Sequence, residues 1–136
     1  MKKKGFLIKN GHIYNEIIFE DSLSEIKRLL EIDGFIDVAT RIIGGEEFDI
    51  YIDDEFLLKE NVKVATAICK NAHEILMGNL LIVKHDEFGS IKSLDKEQVE
   101  KILSNIWFVE KKHVVYNTSC GEFDVEIPNV VLLYEV

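Results

Sequence analysis

Carboxylate side chains are concentrated in the first half of the sequence, and they are the main candidates for a functional site. Between positions 16 and 60, fourteen Asp and Glu residues face only four Lys and Arg residues, which leaves −10 there and −9 over the whole chain. Such a field repels nucleic acid and anionic membranes, whereas it attracts a basic protein surface and speeds encounter with it. The charge pattern therefore favours a function in binding, with spaced carboxylates standing in for phosphates.

The carboxylates assigned to a partner-binding surface lie on one predicted strand and on polar turns. Asp49 and Asp53 alternate with apolar residues, which puts them on the solvent side of that strand. The same charge is also typical of a solvated face that keeps a small protein in solution. The residues predicted to bind a partner are Glu46, Glu47, Asp49, Asp53, Asp54, Glu55, Asp86 and Glu87.

Two acidic clusters also offer ligands for a divalent cation. Residues 85–87 combine an imidazole with two carboxylates, and residues 53–55 supply three carboxylates. Hard cations prefer oxygen ligands of this kind. Neither cluster has HExxH or EF-hand spacing, so both are interpreted as polar turns. No metal and no other cofactor is predicted.

Two pairs of thiol and imidazole side chains are the candidates for nucleophilic catalysis. Cys120 and His113 lie seven residues apart across a predicted hairpin, and Cys69 and His73 are spaced i, i+4 on a possible helix. A nucleophile of this type needs a base that a third group orients, and neither pair has an obvious third group. The chain is therefore expected not to be an enzyme, with no catalytic residue assigned.

Other common functions lack their sequence signals. Neither GxGxxG nor GxxxxGK occurs, so no phosphate loop is expected. The basic clusters are limited to residues 2–4 and 111–112, so direct binding of nucleic acid is not expected. The longest apolar runs have strand length, far below the roughly 20 residues of a membrane span, and the start lacks a signal-peptide core. A cytoplasmic protein with reduced thiols and no membrane contact is predicted.

Local patterns predict the elements that must position these groups. Asn10-Gly11 separates two strand-like runs, 5–9 and 12–20, and both positions of such a turn tolerate positive φ. Ser22 and Glu25 form a capping box that opens a helix of about ten residues. Strands are predicted at 35–43 and 48–53, joined at Gly44-Gly45, and a short third helix is predicted over Val64 to Ala72 from its apolar spacing.

The second half combines one well-marked helix with several strands. Residues 80–83 are continuously apolar, as in a strand covered on both faces. Asp95 and Gln98 form a second capping box, and the apolar stripe that follows predicts a helix reaching Trp107. Four further runs, 107–109, 113–117, 123–127 and 130–134, favour antiparallel strands. These patterns predict a single α+β domain over residues 1–136, with a mostly antiparallel sheet, two main helices and a short third.

The middle of the chain, from Ile26 to Ile106, resembles a family of small, functionally uncharacterised domains encoded by phages, plasmids and other mobile elements. The segments that carry the resemblance are Asp53-Asp54-Glu55, Asn61 to Ala65-Thr66, Gly78 to Val83, His85 to Gly89, and Ser93-Leu94 leading to Gln98. The chain departs from that family at Lys59-Glu60, where Leu-Pro is usual, and from Trp107 onward. The resemblance implies a mobile-element origin, and it assigns no catalytic residues.

Charge and resemblance together give one main functional hypothesis and two alternatives. The main hypothesis is a non-enzymatic accessory protein of a phage or mobile element, which antagonises a host defence system in the host cytoplasm by binding a basic, nucleic-acid-handling surface through its acidic face. The first alternative is a protein that sequesters a small nucleotide signal, using Arg28, Arg41, Asn61 and Thr66. The second is a small enzyme of unknown reaction. A homodimer formed through an exposed strand edge is also expected.

Overall fold

The computed structural model describes residues 2–54, 63–119 and 121–136, with the backbone alone for Lys63, Tyr116, Thr118 and Phe123. Within these ranges the chain forms twelve strands and two helices. In chain order the elements are β1 (Lys2–Lys9), β2 (His12–Glu20), α1 (Leu23–Leu30), β3 (Ile36–Ile43), β4 (Glu46–Asp53), β5 (Lys63–Cys69), β6 (Ile75–Met77), β7 (Leu80–His85), β8 (Ile91–Lys92), α2 (Lys96–Leu103), β9 (Ile106–Phe108), β10 (Lys112–Thr118), β11 (Gly121–Ile127) and β12 (Val130–Tyr134).

The balance of elements corrects the predicted fold class. Among the described residues, 57% lie in strands and 13% in helices, so the fold is mostly β and the α+β prediction is wrong. The strands form two sheets, and the two helices have only eight residues each. The largely antiparallel pairing is confirmed.

The predicted third helix is the clearest error, because its residues form β5. Val64, Ala67, Ile68 and Ala72 have helical spacing, but the segment pairs with three strands, β6, β11 and β12. Ala65, Thr66 and Ala67 are all buried, so both faces of β5 are covered, and the strand loses the two-residue alternation that identifies a strand in a sequence. Its β-branched side chains were the better signal.

The first sheet has the order β2-β1-β7-β4-β3, with every pair antiparallel, and β8 adds to β7. The predicted first hairpin is confirmed, since Asn10 and Gly11 both take positive φ, 52° and 79°. α1 also begins where its cap predicts, with the Ser22 hydroxyl accepting from the Glu25 amide at 3.3 Å.

The second sheet has the order β10-β11-β5-β12-β9, and β6 pairs with β5. β9 pairs antiparallel with β12 as far as Phe108↔Val130, and β10 pairs antiparallel with β11 from Lys112↔Ile127 onward. Three residues lie between these positions on one side and two on the other. The four strands therefore form one long hairpin with a one-residue bulge in its middle.

Two apolar cores use the two faces of the first sheet. The main core lies between the sheets and takes Phe6, Ile50 and Ile82 from the first sheet and Leu132 and Tyr134 from the second, together with side chains of α2. The smaller core lies on the opposite face, beneath α1. The alternation of side chains along β1 and β7 divides them between the two cores.

α2 ends at Leu103, earlier than its apolar stripe predicts. The side-chain amide of Asn105 donates to the carbonyl of Lys101 at 2.9 Å, which satisfies an acceptor at the end of the helix. Ile106 then joins the sheet opposite Leu132 and still reaches the main core. Ile106 is therefore buried as a residue of β9 and not as part of α2.

Candidate docking surface and cavity

The predicted partner-binding carboxylates do not form one surface. Along β4, Phe48 and Ile50 enter the main core, so Glu47, Asp49 and Asp53 lie on the opposite face. Six residues separate Glu47 from Asp53, and at about 3.3 Å per residue they are about 20 Å apart. The structure divides the predicted surface between the two ends of the strand.

Glu46, Glu47, Asp86 and Glu87 gather at one end of the first sheet, and this group is called the corner. Glu46 is neutralised there, because Lys101 and Lys84 place ammonium groups at 3.0 and 3.4 Å from its carboxylate. Partial burial raises the pKa of Glu46, but hydrogen bonds from Gln98 and Lys101 outweigh it and lower that pKa overall. Glu46 therefore anchors α2 to β4.

Asp86 is also used within the fold. Its Oδ1 atom accepts from the amides of Phe88 and Ser90 at 2.9 and 3.0 Å, which fixes the turn between β7 and β8. This turn presents Phe88 to solvent with 84% exposure. Asp86, Glu47 and Glu87 are all exposed and have no ion pair among the described residues, but only Glu47 and Glu87 also have no side-chain hydrogen bond there.

Asp49 belongs to a chain of hydrogen bonds on the α1 side of the first sheet. Its Oδ2 atom lies 2.6 Å from Nδ1 of His85, and Nε2 of His85 lies 3.0 Å from the hydroxyl of Tyr51. The hydroxyl of Thr40 donates to the other oxygen of Asp49 at 2.6 Å. Since a carboxylate only accepts, this geometry assigns the proton of neutral His85 to Nδ1 and makes the Tyr51 hydroxyl the donor to Nε2.

This Asp-His-Tyr order resembles that of a catalytic triad, but the electrostatics do not activate the phenol. Burial raises the pKa of Tyr51, and the nearby charges of Asp21 and Asp49 raise it further. A tyrosine nucleophile requires the opposite shift, toward phenolate. The arrangement therefore suits a structural link between β3, β4 and β7.

The opposite end of β4 borders a cavity of about 520 Å³. Its lining includes three carboxylates, three side-chain amides and one ammonium group: Glu31, Asp53, Glu126, Asn10, Asn79, Asn129 and Lys111. Lys111 lies 3.1 Å from Glu126, and Lys9 lies 3.9 Å from Glu31. Asp54, next to Asp53, is exposed, and Glu55 lies outside the described residues.

The four residues predicted to bind a nucleotide are not brought together. Thr66 lines the cavity, but it is 4% exposed and its hydroxyl donates to the carbonyl of Gly78. Arg28 pairs with Glu25 on α1, and Arg41 makes two hydrogen bonds to Glu74. Neither arginine lines the cavity. Asn61 lies outside the described residues.

The β10–β11 hairpin, which is called the arm, is exposed along most of its described length. The side chains described along β10 are all exposed, including two successive residues, Val114 at 36% and Val115 at 59%. Successive residues of a strand point to opposite faces, so both faces of the arm are open to solvent. At its root, Val125 is buried against Ala65 and Met77.

One face of the arm carries a row of carboxylates that the sequence analysis did not single out. Glu122, Asp124 and Glu126 alternate along β11, opposite Asn117, Val115 and His113. Glu126 also lines the cavity, so the row begins there and continues outward. The strict alternation of carboxylates in Glu-Phe-Asp-Val-Glu-Ile indicates such a row. The predicted docking surface was placed instead mainly in residues 16–60, where the charge excess is larger.

The thiol and imidazole pairs are not assembled for catalysis in the described part of the chain. Cys69 is buried on β5, and its thiol donates to Oδ1 of Asn71 at 3.2 Å. The helix that would bring His73 beside it does not form, because that segment is a strand. Cys120 lies outside the described residues, and His113 lies 3.9 Å from Glu126.

In the ranges described, no three His, Cys, Asp or Glu side chains are grouped so as to hold a metal ion. Neither described helix is long and apolar enough to cross a membrane. Comparisons with protein-family models, curated proteins and solved structures found no match to this chain.

Proposed function

We propose that this protein acts by binding, and that its arm docks on a basic surface of another protein. The observation that carries the proposal is the exposure of the arm on both faces, with alternating carboxylates on one of them. An isolated two-stranded hairpin is only marginally stable, so a ribbon that extends from the body gains most by packing against something else. The net charge of −9 selects a basic partner.

The arm is better suited to docking than the corner. At the corner, Glu46 and Asp86 are occupied by contacts within the fold. On the arm, Glu122 and Asp124 are exposed and have no ion pair among the described residues. A charge that is already neutralised contributes little to attraction of a partner, so the free carboxylates decide the docking face.

The spacing on the arm also fits a row of cations. Residues two apart on a strand are separated by about 6.7 Å, so Glu122 and Asp124 present two carboxylates at that interval, while Glu126 at the inner end of the row is paired with Lys111. Val115 lies opposite Asp124 and supplies an apolar contact in the middle of the row. Charges of this kind mainly speed association and set orientation, while the apolar contact at the centre excludes water.

The class of partner follows from the family resemblance. Small proteins of mobile elements often act against host defence, and the surfaces of nucleic-acid-handling proteins are basic. The proposed role is therefore non-enzymatic antagonism of a host defence or nucleic-acid-handling protein, in the host cytoplasm, without direct contact to nucleic acid or membrane.

Three pairs of charge reversals test this role at equal change in net charge. Glu122→Lys with Asp124→Lys alters the arm, Glu47→Lys with Glu87→Lys alters the corner, and Glu97→Lys with Glu100→Lys alters the exposed side of α2 as the matched control. Each immobilised double variant and the unmodified protein are incubated with the heparin-retained fraction of a host extract. Bound proteins are compared in low and high salt.

The expected result is a host protein that is retained by the unmodified protein, the corner variant and the α2 variant, and lost from the arm variant. Its retention should also fall at high salt, because exposed ion pairs are screened. Loss from the corner variant alone would move the docking face to the corner. Equal retention by all four proteins would contradict docking by charge.

The cavity supports a second candidate function, retention of a small molecule. Its volume lies within the range of ligand pockets, and its lining has three carboxylates against one ammonium group, so the net negative charge disfavours a phosphate and favours a ligand that carries amines. Calorimetry with spermidine and with a panel of cyclic and linear nucleotides separates the two chemistries. Heat from spermidine alone supports an amine ligand, heat from a nucleotide supports the nucleotide alternative, and no heat from either contradicts this function.

A further inference from the structure

The cavity of about 520 Å³ borders the end of the first sheet, where β7 begins between β1 and β4. Continuing the register of β7 with its two neighbours places Asn79 beside Lys9 on one side and beside Asp53 on the other. Neighbouring strands are about 4.8 Å apart, so two strands that flank a third are about 10 Å apart. The ends of β1 and β4 therefore bring their side chains to the cavity from well-separated positions.

Glu31 brings a carboxylate to the β1 side of the cavity, whereas Asp53 brings one to the β4 side. The Oε1 atom of Glu31 accepts from the side-chain amide of Asn10 at 3.4 Å. Lys9 lies 3.9 Å from the same oxygen, and a long, partly exposed contact of this kind contributes little. The other oxygen, Oε2, has no hydrogen bond or ion pair in the described part of the chain, so it is available as an acceptor.

Asn79 fixes the separation of the two carboxylates. Its Oδ1 atom accepts from the backbone amide of Asn10 at 3.0 Å, and its Nδ2 atom donates to the carbonyl of Leu30 at 3.0 Å. These bonds attach the β1–β2 turn and the end of α1, next to Glu31, to the start of β7. A cation contacts a carboxylate oxygen at about 3 Å, so one compact cation cannot reach both Glu31 and Asp53.

The rest of the described lining includes an apolar part and a neutral ion pair. On the side of the second sheet, Lys111 and Glu126 neutralise each other at 3.1 Å. The apolar side chains of the lining are those of Leu30, Ile32, Val64 and Pro128. Apolar side chains favour contact with methylene groups over contact with water. The cavity therefore combines two separated anionic groups with a surface suited to a hydrocarbon chain.

We propose that the cavity binds a linear aliphatic polyamine, with one ammonium group at Glu31, another at Asp53 and the connecting methylene groups against the apolar side chains. This inference rests on the second candidate function, retention of a ligand that carries amines, and it specifies the class of amine. A monoamine meets one carboxylate only. Two ammonium groups joined by a chain meet both, and the second contact then forms within the complex at a high effective concentration.

A series of amines tests the proposal on the unmodified protein. Calorimetry at constant ionic strength compares putrescine, cadaverine and spermidine with butylamine, which has the carbon chain of putrescine and a single amine. Ethylenediamine and magnesium chloride supply two charges without the long chain. We expect the three long amines to bind about tenfold more tightly than butylamine, because each gains a second charged hydrogen bond. Ethylenediamine and Mg²⁺ should bind no more tightly than butylamine.

Two substitutions identify the ends of the ligand. Glu31→Gln and Asp53→Asn each remove one charge at nearly constant shape, so each should weaken putrescine about tenfold, to the affinity of butylamine. Glu97→Gln, on the exposed side of α2, is the matched control and should leave putrescine unchanged. Circular dichroism verifies that each variant is folded.

Three results overturn the proposal. Butylamine or Mg²⁺ that binds as tightly as putrescine would show that two separated charges are not recognised. Putrescine binding that survives both Glu31→Gln and Asp53→Asn would place the ligand elsewhere. Both results leave retention of an amine intact, whereas the absence of heat from every amine removes that candidate function as well. The docking role of the arm is independent of all three, because it is measured by retention of a host protein.

Discussion

Asp49 holds the imidazole of His85 through an Oδ2–Nδ1 contact of 2.6 Å, and this contact gives a predicted docking residue a role inside the fold. Both groups that reach the Asp49 carboxylate are donors, since Thr40 supplies its hydroxyl to the other oxygen. The carboxylate therefore links β3, β4 and β7 on the face beside α1. Substitution of Asp49 should act on stability before it acts on binding.

Asp49→Asn is expected to lower the free energy of unfolding by about 1–2 kcal/mol, because a charged acceptor of two hydrogen bonds becomes neutral. An amide has one acceptor atom in place of two, so Thr40 or His85 must also change from donor to acceptor to meet the new amino group. Urea denaturation measures the loss. Glu87→Gln, at an exposed carboxylate, serves as the control and should change stability by less than about 0.5 kcal/mol. Equal effects from the two substitutions would show that the contact contributes nothing.

Acid sensitivity should arise in part from Glu74. Hydrogen bonds from Arg41 at 2.7 and 3.1 Å lower the pKa of Glu74, and the hydroxyl of Tyr134 adds a third at 2.8 Å. Because the pKa is lower in the folded protein than the ordinary value of 4.5, the unfolded chain binds the proton first as the pH falls. The stabilisation is therefore complete above pH 4.5 and is lost as the pH falls through the folded value.

Glu74→Gln is expected to weaken the protein at pH 7 by about 1–2 kcal/mol, because a charged hydrogen-bond acceptor becomes neutral. It should also flatten the decline in stability between pH 5 and pH 3, since the titrating group is gone. Denaturant unfolding at a series of pH values measures both effects. Glu97→Gln on the exposed side of α2 is the control. A decline as steep in Glu74→Gln as in the unmodified protein would assign the acid sensitivity to other carboxylates.

The sequence predicts the fold best where the signal is local. The turn at Asn10-Gly11 and the cap at Ser22 depend on the backbone preferences of a few adjacent residues, and the structure has both. β5 is different, because β11 and β12, two of its three pairing partners, lie near positions 125–134, far along the chain. Its burial on both faces depends on the elements that pack there and leaves no local period. The strand that replaces the predicted third helix is one reason that the fold class was wrong.

The candidate site also combines features that the sequence shows locally with features that depend on tertiary contacts. Clustered carboxylates at positions 46–55 are visible in the sequence, but the lysines that neutralise Glu46 come from α2 and β7. The alternation along β11 can also be seen in the sequence. The exposure of both faces of the arm cannot, because it depends on how the rest of the chain packs around the arm. Charge can be counted from a sequence, but its availability to a partner depends on the tertiary neighbours.

Thr66 tests whether the cavity wall is built for stability. Its hydroxyl donates to the carbonyl of Gly78, and Thr66→Val removes that donor at nearly constant shape. The expected loss is about 1–2 kcal/mol in the free energy of unfolding, measured by urea denaturation. Thr66→Ser keeps the hydroxyl and should recover most of that difference. A Thr66→Val variant as stable as the unmodified protein would contradict the structural role of this contact.

The start of α2 gives a test of how strongly a local cap positions the elements around it. Asp95 accepts from the Gln98 amide at 2.8 Å, and Gln98 accepts in return from the Asp95 amide at 2.9 Å. Asp95→Ala removes one of these bonds and should cost about 1 kcal/mol. Ser22→Ala on α1 removes a longer contact of 3.3 Å and should cost less.

Because Gln98 also donates to Glu46 at 2.8 Å, loosening of this cap should release α2 from β4 as well. Hydrogen exchange of α2 and β4 amides measures that coupling; unchanged exchange on β4 in Asp95→Ala would show that Glu46 holds α2 without the cap.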